Sequence, residues 1–90
     1  MLKETKWLAT ESVIIRMDDV TNITRRDSAI LIEYHEGAHQ IKKSMTFDLG
    51  SSDNATREWK MIIRAIGDGA RTVHVGGTRI MDANTINNQK

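Results

Sequence analysis

The chain has 90 residues, with 13 Lys and Arg against 12 Asp and Glu and a formal net charge of +1. That near balance argues against a dedicated polyanion binder, and the absence of cysteine excludes disulfides and thiolate metal sites. The length suits one domain able to bury roughly 60–65 % of its surface, no apolar run approaches the length of a membrane span, and no signal-peptide hydrophobic segment follows Met1–Lys6. The expectation is a soluble cytoplasmic domain.

Proline is absent, so glycine, Asp and Asn carry the punctuation. Ser12–Met17 is rich in β-branched residues and reads as a strand, Asp18-Asp19 as a bend or bulge, and Val20–Arg25 as renewed extended chain. Ala29–Tyr34 places Ile30, Ile32 and Tyr34 on one side, and Ile41, Met45 and Phe47 repeat that alternation after Gly37. A helix over about 53–66 follows, with Ser52 or Asp53 as its N-cap and Gly67 as the glycine that ends it. Trp59, Ile62, Ile63 and Ile66 fall at helical spacing, with Trp59 the anchor between helix and sheet. Arg57, Lys60 and Arg64 occupy another face. Thr72–Val75 and Thr78–Met81 flank Gly76-Gly77, which predicts a two-residue hairpin pairing Val73 with Ile80. The domain is placed at 1–83, with its C-terminal hairpin at about 72–81 and a polar, flexible tail at 84–90.

His35-Glu36-Gly37-Ala38-His39 spells H-E-x-x-H. On a helix this spacing sets two imidazoles one turn apart on one face, ready for zinc, with the glutamate placed to take a proton from a metal-bound water. The stretch resembles the gluzincin metallopeptidases, in one large branch of which eighteen residues separate the second His from a ligand Glu, as they separate His39 from Glu58 here. The resemblance implies zinc held by His35, His39 and Glu58, with Glu36 as general base. It departs from the family at Arg57, where an Asn commonly precedes the ligand Glu, and in lacking an identifiable oxyanion-stabilising Tyr or His. The motif also needs a helical backbone. Gly37 in mid-helix costs about 1 kcal/mol relative to Ala, whereas a hairpin uses it at the turn; Ile30-Leu31-Ile32 and Thr46-Phe47 also favour a pleated surface. A hairpin over 29–47 is therefore the expectation, and helix the alternative.

The remaining candidates are diffuse. Arg57, Lys60 and Arg64 form a basic stripe that could meet phosphates, with Arg25-Arg26 and Lys42-Lys43 in reserve. Asp18-Asp19 and Asp27 could hold a cation, but turn formation accounts for them. The whole order is several short antiparallel strands, a Gly/Ser/Asp break and one amphipathic helix. It predicts an α+β fold, an antiparallel sheet of about four to six short strands packed on one helix. Val13–Met17, Val20–Ile23, Ala29–Tyr34, the Glu36-Gly37 turn, Ile41–Phe47 and Glu58–Ile63 resemble in type the small bacterial and phage proteins with a pleckstrin-homology-like arrangement. That resemblance implies a binding or assembly module. The Thr72–Met81 hairpin is an addition to that pattern, able to cover an edge of its own sheet or that of a neighbouring subunit. The functional expectation is a non-enzymatic interaction module, homo-oligomeric or bound to a partner protein and without cofactor. The alternatives are a minimal zinc metallohydrolase and a nucleic-acid-binding protein.

Overall fold

The computed structural model describes residues 4–80. The fold is α+β, with seven strands divided between two sheets and one helix among the described residues. The strands are β1 (Trp7–Ala9), β2 (Ile14–Arg16), β3 (Val20–Arg26), β4 (Ala29–Glu36), β5 (Ile41–Asp48), β6 (Thr72–His74) and β7 (Thr78–Ile80). The helix α1 (Ser52–Gly67) lies between β5 and β6, and Met17–Asp19 forms a single 3-10 turn between β2 and β3. One sheet has the order β2-β1-β6 and the other β3-β4-β5-β7. All ladders are antiparallel except β1 with β6, which run parallel.

A single core joins the two sheets and the helix. Leu8, Ile15 and Val73 come from the smaller sheet, Ile30, Ile32, Met45 and Phe47 from the larger, and Ile62 from α1. Phe47, Leu8, Ile30, Ile32, Ile62 and Val73 are fully buried. Each contributes roughly 1.5–3 kcal/mol by leaving water. The expected alternation of Ile30, Ile32 and Tyr34 is present, because Ile30 pairs with Phe47 and Ile32 with Met45 on one face of the β4–β5 ladder. β1 has no counterpart in the sequence reading. Its three residues carry only one fully buried side chain, Leu8, too short a pattern to register as alternation.

The helix runs one residue further at each end than its periodicity suggests. Ser51, with extended φ/ψ, is the N-cap rather than Ser52 or Asp53; its Oγ accepts the Asn54 N–H at 3.1 Å. The helix ends on a Schellman motif in which the Gly69 N–H bonds the Ile66 carbonyl and the Ala70 N–H the Ala65 carbonyl. Gly69, at φ +75°, is therefore the left-handed terminal glycine, and Gly67 is the last helical residue. The buried stripe also lies to one side of the expected one. Ala55 and Ile62 are buried and Trp59 and Ala65 pack on the core, while Ile63 and Ile66 stay about half exposed.

The expected hairpin around Gly76-Gly77 does not form. β6 pairs with β1, Val73 opposite Leu8, and β7 pairs with β5, Ile80 opposite Thr46. The two glycines instead carry the chain from one sheet to the other through a tight passage. Gly77 sits at φ +100°, and a Cβ there would lie 2.8 Å from the Asp48 carbonyl oxygen and 3.1 Å from Leu49. A Cβ on Gly76 would meet the Glu58 carboxylate at 3.4 Å. Met81, the last residue of the expected hairpin, and the expected tail at 84–90 lie outside the described residues.

Two glycine substitutions separate these roles. Gly77→Ala should cost about 2 kcal/mol or more in denaturant unfolding, from positive φ and the clash with a backbone oxygen. Gly67→Ala, helical and facing open space, should be neutral or stabilising by up to about 1 kcal/mol. A large loss at Gly67 would restore it as the terminating glycine.

Candidate functional site

The H-E-x-x-H stretch lies across a hairpin. β4 ends at Glu36, Gly37–Gln40 form the loop, and β5 begins at Ile41, with Glu36 opposite Ile41 and His35 opposite Lys42. The loop is built by Gly37 at φ +78° and Gln40 at φ +54°, closed by the Gln40 N–H donating to the Gly37 carbonyl at 3.1 Å. His35 is a half-buried strand residue and His39 an exposed loop residue, so the shared helical face that zinc ligation requires is absent. Glu36 makes a 2.8 Å ion pair with Lys43, two strand positions further along the ladder. That contact raises the Lys43 pKa above its ordinary value, first by the hydrogen bond to Glu36 and then by its charge.

Glu58, the third residue of the zinc reading, is engaged elsewhere. Its carboxylate accepts the Gly76 N–H at 2.8 Å, across 18 positions of sequence. It pins the β6–β7 passage to the helix, one turn beyond the Asn54 side chain that bonds the Leu49 carbonyl at 3.0 Å. Glu58 thus serves the helix-to-sheet junction. Among the described residues no group of three or more His, Asp or Glu is placed to hold a metal ion, and Asp18-Asp19 with Asp27 form no such cluster.

The junction also frames an open cleft of about 540 Å³ between Asp48, Leu49 and Gly50, the first turns of α1, and Gly77-Thr78. The Asp48, Asn54, Arg57 and Glu58 side chains are tied to one another or to nearby backbone. Asp48 Oδ1 accepts the Gly50 N–H at 3.0 Å, and Arg57 donates to Asn54 Oδ1 at 3.3 Å. Arg57, Lys60 and Arg64 are all exposed on the solvent side of α1. They form the expected stripe, without an aromatic residue beside them for base stacking.

A different surface was not legible in the sequence. The register of β1 with β2 and β6 puts Leu8, Ile15 and Val73 on the core face, and therefore Trp7, Ala9, Ile14, Arg16, Thr72 and His74 on the other. On that outer face Ile14 stands directly opposite Ala9, and Arg16 opposite Trp7. Ile14 is 67 % exposed and Trp7 36 %. The missing signal was β1 itself: without it, Trp7 had no sheet to stand on.

No family model matches the sequence, no curated protein matches it, and no solved structure matches the fold. The pleckstrin-homology-like and gluzincin resemblances therefore rest on the residues quoted for them alone. No helix among the described residues is long and apolar enough to cross a membrane.

Two measurements check these assignments. Glu58→Ala should lower unfolding free energy by about 1–2 kcal/mol through the lost bond to Gly76, equally with zinc or with chelator; a loss seen only in zinc would return Glu58 to the metal. Glu36→Gln should bring the Lys43 pKa down to the ordinary lysine range, read by NMR of the side-chain amine. Because the folded pKa is raised, the pair's contribution is full below the unfolded lysine pKa and fades as pH climbs through the folded one. Both partners are largely exposed, so that contribution is small.

Proposed function

We propose that this chain is a non-enzymatic protein-interaction module that self-associates through the outer face of the β2-β1-β6 sheet. One observation carries the reading: Trp7, Ala9 and Ile14 share the outer face of that sheet, where Ile14 is 67 % and Trp7 36 % exposed. A Trp and an exposed Ile on a flat strand surface, edged by Arg16 and His74, have the composition of an interface centre and its polar rim. Two such faces stacked with their strands roughly aligned would bury the apolar centre of each and leave the polar corners wet. A homo-oligomeric assembly module of bacterial or phage type fits this surface; that part of the reading rests on element order. The zinc hydrolase is the second reading, and its motif needs a helix at residues that pair as a β-hairpin here.

Sedimentation tests the reading. The wild-type protein at tens of micromolar should run as a dimer or larger, and Ile14→Lys should yield a monomer with unchanged circular dichroism and thermal midpoint. A wild-type monomer across the concentration range would sink self-association. A dimer that ignores both Ile14→Lys and Trp7→Ser would move the interface elsewhere.

A further inference from the structure

Helix α1 carries more apolar side chains than the fold buries. Its core-facing residues Ala55, Ile62 and Ala65 repeat at spacings of seven and three. One position on, and so about 100° further around the helix, Thr56, Trp59, Ile63 and Ile66 repeat at three, four and three. This second series has the a/d spacing of a helix–helix seam. Trp59 also packs on the core, while Ile63 and Ile66 are left about half exposed.

The two flanks of the seam differ. On one side its heptad neighbours are Ala55 and Ile62, which are buried inside the domain. On the other side Lys60 holds the e-type position between Trp59 and Ile63, with Arg57 and Arg64 beyond it, all three exposed. Among the described residues no carboxylate pairs with Lys60 or Arg64. Glu58, the one acid between Asn54 and Gly67, is engaged by the Gly76 N–H. The open flank is therefore cationic and unneutralised.

We propose that the Thr56–Ile66 seam of α1 docks an amphipathic helix of a partner protein, apolar at heptad spacing and acidic along the flank that meets Lys60 and Arg64. The seam is about 15 Å long, enough for roughly three turns of such a helix. Apolar contact with Trp59, Ile63 and Ile66 supplies the affinity, and the cationic flank selects the partner by charge. A second copy is the poorer occupant, because a twofold axis at the seam sets one cationic flank against the other. The contact is separate from the Trp7 face, so a self-associated chain keeps α1 free for a different protein.

A synthetic peptide of four heptads, with Leu at a and d and Glu at e and g, tests the docking when titrated into the full-length protein and followed by amide NMR. Shifts should fall on Thr56, Lys60, Ile63 and Ile66, and the same peptide with Lys at e and g should not bind. Ile63→Gln should weaken the acidic peptide about tenfold, the loss of one half-exposed isoleucine from the contact. Met61→Gln, comparably exposed but off the seam, should change nothing. The double variant Lys60→Glu, Arg64→Glu should reverse the preference between the two peptides, with circular dichroism unchanged in every variant. Absence of binding overturns the proposal, as do equal binding of both peptides, equal losses at Ile63 and Met61, or shifts confined to the Trp7 face. Retention on duplex DNA or anionic vesicles without binding of the peptide assigns the cationic flank to phosphate and likewise overturns it.

Discussion

The passage of the chain through Gly76 and Gly77 is the constraint on which the two-sheet architecture depends. Between β6 and β7 the backbone leaves the parallel partner of β1 and enters the antiparallel partner of β5. It does so against the carbonyl of Asp48 and under the carboxylate of Glu58, with room for hydrogen alone at the Gly77 α-carbon. The consequences spread outward. Val73 and Val75 can enter the core from one side while Ile80 lies on the far face of the other sheet. α1 is fixed at its N-terminal half by Ser51, Asn54 and Glu58, all bonded to backbone around this junction. One short segment thereby ties helix and sheets into a common core.

The same junction shows why a spacing motif is a statement about backbone first. His35, Glu36 and His39 have the residue types of a zinc hydrolase, and Glu58 the right distance in sequence. In a ladder, however, adjacent side chains point to opposite faces, so His35 and Glu36 look away from each other. Glu36 turns to Lys43 and Glu58 to Gly76. Each acidic residue of the motif is satisfied by a structural partner.

Much of the fold was legible where periodicity was long. The β4–β5 hairpin and the helix rest on runs of eight and sixteen residues, long enough for alternation or helical spacing to accumulate. What was misread is short or non-local. Gly76-Gly77 carries the local signature of a hairpin turn, yet Val73 and Ile80 find better partners in Leu8 and Thr46, far away in sequence. Gly67 and Gly69 are equally plausible helix stops by composition, and only the pair of backward bonds from Gly69 and Ala70 decides between them. The apolar outer face was hidden for the same reason, because Trp7 and Ile14 become neighbours only once β1 and β2 are paired.

β1 is the central strand of its sheet, and this has a kinetic consequence. Its neighbour β2 is a few residues away, but its other neighbour, β6, comes from near the end of the described chain. The β3–β4–β5 meander closes through short turns and can assemble early, whereas the smaller sheet must wait for a contact of very high sequence separation. On the ribosome, Leu8 and Ile15 would emerge well before their partner Val73. β1 is therefore synthesised long before β6, and completion of its sheet is the natural slow step in the molecule's maturation.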